Sequence, residues 1–148
     1  MISGTDMRRL LLGTLATKET GTLAATTVAL FTITGGVVQI TQMFGVVTTA
    51  ITVANSYKIQ ANPTTGTTTD MVAATDIGTT DTPAGNILSF TGVKTDSIIG
   101  GPGSCAGLAK PILVTTGQIE HVSAGTDGAI TWYVTWVPVD TGAALVAA

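Results

Sequence analysis

Ala129-Ile130-Thr131-Trp132-Tyr133-Val134-Thr135-Trp136-Val137-Pro138-Val139 is the stretch on which the fold turns. Ile130, Trp132, Val134 and Trp136 take every second position, with Thr131, Tyr133 and Thr135 between them. Successive side chains of a strand point to opposite faces, so this pattern reads as a half-buried β-strand. Its apolar face carries both tryptophans of the chain into one layer, and Ile130, Trp132, Val134 and Trp136 are expected in the core. Burying each indole contributes on the order of 2 to 4 kcal/mol by area. Pro138 has no N–H for a ladder and marks the strand's end or an edge. Gly125-Thr126-Asp127-Gly128 supplies the turn before it.

The same texture extends upstream. Val28 to Thr34 is rich in β-branched and aromatic residues and stops at Gly35-Gly36. Val37 to Phe44, ending at Gly45, and Val46 to Val53 read as two further strands, the latter with Val47, Ile51 and Val53 on one face. Tyr57 to Ala61 alternates and runs into the turn Asn62-Pro63-Thr64-Thr65-Gly66. Asp70 to Ile77 suits a short helix or a strand. Gly78 to Gly85 reads as a loop, Ile87 to Thr91 as a strand and Ile99 to Gly103 as a second loop. Lys110 to Thr115 and Gln118 to Ser123 read as strands, with Thr116-Gly117 as a hairpin turn between them. Eight or nine short strands with glycine-rich turns and almost no helix signal predict an all-β fold. The expected form is one β-sandwich (jelly-roll-like) or a small barrel. No fixed repeat is visible, which argues against a solenoid.

Composition narrows the function. The 148 residues are 45% hydrophobic but only 10% charged, with 30 threonines and 18 glycines. Mean hydropathy is +0.49 and the pI about 4.7. Six scattered cations cannot supply the basic field that nucleic acid demands. Disorder needs the opposite balance of charge and apolarity. No stretch of about 18 apolar residues exists, so no membrane span is expected. A single cysteine, Cys105, makes no internal disulfide. A chain so apolar and so sparsely charged is expected to hide part of its surface against neighbours.

Residues 1–25 differ from the rest, lack strand alternation and carry both arginines, so they read as an extended N-terminal arm, with a frayed terminus as the alternative. Met7, Arg8, Arg9, Leu10, Leu11 and Leu12 are its candidate assembly interface, because three leucines on a solvated tail are costly unless covered. The same stretch resembles a signal peptide only in outline, since Lys18-Glu19 stand where a small-residue cleavage site belongs. Residues 26–140 are then the β-sandwich domain and 141–148 a small-residue C-terminal tail. No Asn-x-Ser/Thr sequon occurs.

Candidate chemistry is thin. Gly103-Ser104-Cys105-Ala106-Gly107 has the spacing of a nucleophile elbow, but a Gly-Pro loop and a Lys-Pro segment flank it. The one histidine, His121, follows Glu120 on a strand, where the two side chains point to opposite faces. Gly100-Gly101-Pro102-Gly103 lacks the Gly-Lys-Ser/Thr of a phosphate loop. Asp70, Asp76 and Asp81 are too widely spaced for a calcium loop. Thr64-Thr65-Gly66-Thr67-Thr68-Thr69 lacks the period of an ice-binding array and reads as a connection. The reading is of no enzyme, no metal and no cofactor.

The order of features resembles a known group. The arm precedes Val28 to Ile40; Ile59-Gln60-Ala61-Asn62-Pro63-Thr64-Thr65-Gly66 follows; the chain closes on Gly128 to Pro138 with its two tryptophans. From about Val28 to Pro138 this resembles small virion proteins of tailed bacteriophages, of the capsid decoration (cement) type. The resemblance implies a homo-oligomer, often a trimer, on the outer capsid surface, tying neighbouring major capsid proteins together, with an arm that pairs with a capsid strand. It brings no catalytic residues. Alternatives are another virion part (tail tube, head fibre or receptor-binding module) or a surface adhesin-like β domain.

Overall fold

The computed structural model describes residues 2–148. In chain order these form a helix, α1 (Gly4–Leu12), then β1 (Thr14–Glu19), β2 (Thr27–Thr34), β3 (Val38–Thr49), β4 (Ser56–Pro63), β5 (Thr69–Asp70) and β6 (Thr75–Asp76). There follow β7 (Asn86–Ser89), β8 (Ile99–Pro102), β9 (Ile112–Val114), β10 (Gly117–Val122), β11 (Ala129–Pro138) and β12 (Ala144–Ala147). One antiparallel sheet has the order β1-β11-β3-β7-β8, with β9 also on β3. The other has the order β12-β2-β10-β4-β5, with β6 also on β4. The sheets pack as a sandwich and do not close into a barrel.

Ile130, Trp132, Val134 and Trp136 of β11 are all buried, and they join Phe31, Ile33, Tyr57, Ile59 and Ile119 of the opposite sheet in one core. The Trp132 indole N–H donates to the Tyr57 hydroxyl at 2.9 Å. A single bond thus links the two layers at their centre. Burial drives the Tyr57 phenol far above its ordinary pKa, so the hydroxyl stays neutral and able to accept.

Several strand boundaries differ from the pattern read in sequence, each for a local reason. Gly45 does not end a strand; β3 runs through it and pairs Gly45 with Trp132. Paired residues share a face, and a Cβ at position 45 would sit 2.8 Å from the Ile130 methyl and 3.2 Å from the indole. The glycine is there to admit the ring. Gly45→Val should therefore overpack the core and cost about 1 to 3 kcal/mol, read as a lowered denaturant midpoint. A bulge between Thr135 and Trp136 then shifts the inward phase of β3 from Ile40 to Met43.

The predicted strand to Val53 stops at Thr49. Ile51 stays buried and bridges Thr82, while Val53 is exposed. There the Asp127 carboxylate accepts from the Thr52 and Val53 amides and the Thr52 hydroxyl, which turns the chain. Residues 70–77 are extended and not helical: β5 and β6 flank buried Met71 and Val72 and bond along β4. The expected loop at Ile99 to Gly103 contains β8, an outer strand on which Pro102 is tolerated. Thr116-Gly117 is no hairpin turn. Its flanking strands lie in different sheets, β9 on β3 and β10 between β2 and β4, and the Gly36 amide donates to the Thr116 hydroxyl at the crossing. The C-terminal tail is also part of the fold, since β12 pairs with β2 and buries Leu145.

Candidate assembly interface

The N-terminal segment departs most from expectation. It is not an extended arm over residues 1–25, because Gly4–Leu12 is helical and Thr14–Glu19 is a paired strand. The local chemistry explains the helix. Ser3 caps it, its hydroxyl accepting from the Asp6 amide at 3.1 Å. Asp6 lies in the first turn and Arg9 in the last, each favourably placed on the helix dipole. Met7 to Leu12 are all good helix formers. Gly13 ends it with φ 92°, its amide donating to the Arg9 carbonyl at 3.0 Å.

Gly13 also fixes where the helix points. A Cβ there would overlap the Trp136 carbonyl oxygen, so the chain passes tightly over the end of β11. The Thr41 hydroxyl donates to the Leu12 carbonyl at 2.5 Å and meets the Thr135 hydroxyl at 2.7 Å. Met7 to Leu12 are thereby brought together on one short helix tied to the sandwich at its C-terminal end. None of the helix is buried. Met7, Leu10 and Leu11, spaced i, i+3 and i+4, form one stripe, with Leu10 71% and Leu11 73% exposed. At about 100° per residue, Arg9 falls on the face opposite that stripe, and Arg8 lies to one side of it, partly buried. Among the described residues the one ion pair is Lys58–Asp70, so neither arginine meets a carboxylate of its own chain.

Elsewhere the polar groups serve the fold. His121 is buried beside the Tyr57 ring, centroids 5.3 Å apart, with neither ring nitrogen hydrogen-bonded; burial pushes its pKa down to about 4. Glu120 points the other way and accepts from Gln60 and Asn62 at 2.8 and 2.9 Å. Cys105 lies half-buried in the loop after β8. Among the described residues Glu120 is thus bonded to two amides and not to the histidine.

Asp70 is bound by Lys58 at 2.7 Å. Asp76 accepts from the Asn55, Gly78 and Thr79 amides and from the Thr79 hydroxyl, which hold its carboxyl well below the usual range. Asp81 is exposed. Among the described residues no group of three or more His, Cys, Asp or Glu could hold a metal ion, and no helix is long and apolar enough to cross a membrane.

A groove of about 380 Å³ opens between β9 and the β4–β5 edge, lined by Met71, Ile112, Leu113 and Val114, with Asp70 and Lys94 at its polar side. It was not legible in sequence, because the residues that line it come from separate parts of the chain. The helix was legible in principle: Ser3-x-x-Asp6 before a run of helix formers, with a glycine just beyond, is a capping signature. Comparison with protein-family models, with curated proteins and with solved structures finds no match to this chain.

Proposed function

We propose that this chain is a structural virion protein that decorates a tailed-bacteriophage head. In this reading it binds the outer capsid surface and ties neighbouring major capsid proteins together, as a homo-oligomer, and catalyses nothing. The observation that carries the reading is the apolar stripe of α1, held out from a sandwich whose own core is complete. An apolar surface with no partner in its own chain is a docking surface or an aggregation hazard. A tenth of the residues being charged, spread over a threonine-rich β scaffold, fits a protein that works by packing against neighbours. The sequence resemblance adds the shell to which it packs. Many weak contacts repeated over a lattice would give high avidity from one short helix per copy.

The test is sedimentation of the purified chain with empty heads, and separately with tails, of the phage whose genome carries its gene. Binding to heads with bare tails is the expected result. Binding to tails, or rings formed by the chain alone, would replace this reading with that of a tail-tube subunit.

A further inference from the structure

We infer that the outer face of the β1-β11-β3-β7 sheet packs against the same face of a second copy of this chain. This gives the homo-oligomer of the reading above a surface, and it rests on the fold and not on which shell the chain decorates. With Trp132, Val134 and Trp136 of β11 turned into the core, Thr131, Tyr133 and Thr135 point away from it. Paired residues share a face, so Leu15 and Thr17 of β1, Phe44 and Val46 of β3 and Ile87 of β7 project with them. The Phe44 and Tyr133 rings stack at the centre of this face, centroids 5.1 Å apart. Both rings are half-buried, Thr17 is exposed and Leu15 is 42% exposed. Among these outward strand positions the one ionised side chain is Glu19, at the end of β1.

The other outer face of the sandwich is built differently. There Lys58 pairs with Asp70, and Glu120 accepts from Gln60 and Asn62. Charges and amides of that kind suit water, whereas a neutral face centred on two aromatic rings suits a partner. Charge then decides which partner. The chain carries a net charge of -3, so two copies repel one another least where neither presents a charge. A partner selected by its charge, acidic or basic, would find nothing on this face to pair with. Two copies of one sheet also share the same twist and can stack face to face about 10 Å apart, as the layers of a sandwich do. A two-fold relating them makes the contact isologous, brings the two Phe44–Tyr133 pairs together and closes the assembly at two copies.

The experiment is sedimentation equilibrium of the full chain free of any phage particle. The expected mass is twice the 14.9 kDa of one chain. Thr17→Lys and Leu15→Lys each place a cation on the neutral face at an exposed side chain, so each should keep the far-UV circular dichroism of the parent. Each should weaken the dimer roughly a hundredfold, since like charges then oppose each other across the contact. Val146→Lys, at a 56% exposed site on the outer side of β12 in the other sheet, should leave the mass unchanged. A parent that sediments as a monomer or a trimer overturns the inference. So does a dimer that survives both substitutions on the neutral face, or one that is lost with Val146→Lys. Binding to empty heads is read separately on the same proteins. A monomer that binds heads and loses them with Thr17→Lys would give the face to the capsid protein, which overturns the inference and leaves decoration standing. A dimer that binds no heads would remove decoration and leave the paired faces.

Discussion

Trp132→Ala should destabilise the sandwich by about 3 to 5 kcal/mol, a large part of the stability of a chain this size. Three features put it at the upper end of that range. The indole is fully buried and stacks on Tyr57, centroids 6.2 Å apart. Its partner position across the strand is Gly45, which has no side chain to fill the cavity. Its loss also leaves the Tyr57 hydroxyl without the donor that joins the sheets. Trp136 makes the contrast. It lies near the strand's end, is 9% exposed, and its indole N–H has no hydrogen-bond partner. Trp136→Ala should thus cost measurably less than Trp132→Ala in the same denaturant titration. Equal midpoints would show that the link between the sheets contributes nothing.

Acid should weaken the fold through His121 before it acts on any carboxylate. The ring is buried, faces Tyr57 and finds no hydrogen-bond partner, so it is held neutral with a pKa of about 4 against 6.5 in the unfolded chain. Between these values the unfolded state binds the proton and the folded state does not. Stability is therefore intact above pH 6.5, falls as pH drops from 6.5 to 4, and levels off below. The total lost is about 3 kcal/mol. Asp76 and Asp127, whose carboxyls are lowered by their hydroxyl and amide donors, act in a separate window. Their stabilisation is present above the ordinary carboxylate pKa of 3.8 and is lost as pH falls below it. Unfolding free energy measured between pH 7 and 5 isolates the histidine. His121→Phe should abolish the slope there, and a slope that survives the substitution would assign it to another group.

The contrast between what the sequence discloses and what it hides follows from locality. The alternation of Ile130, Trp132, Val134 and Trp136 reports burial directly, because one face of β11 meets a core of fixed polarity. The same holds for Tyr57 and Ile59 on β4. Glycine is ambiguous, since Gly35-Gly36 ends a strand while Gly45 makes room inside one, and only the indole opposite tells them apart. Thr116-Gly117 could join strands of one sheet or of two, and the choice lies with partners far away in the chain. The weak patterns of β1, β8 and β12 belong to short strands whose pairing comes from their neighbours. At the candidate interface, Met7 to Leu12 stand out by composition alone. That they form a helix follows from Ser3, Asp6 and Gly13, and the direction of that helix follows from the fit of Gly13 over Trp136.

Amide hydrogen exchange of the chain, free and bound to empty heads, tests the central claim most directly. Exposed helix amides of a short terminal element open readily and should exchange fast in the free chain, while those of β11 and β10 stay protected. On binding, new protection should appear over residues 4–12 and leave the sheets unchanged. Protection that falls on the β8 or β12 edge, with residues 4–12 still exchanging freely, would contradict the account.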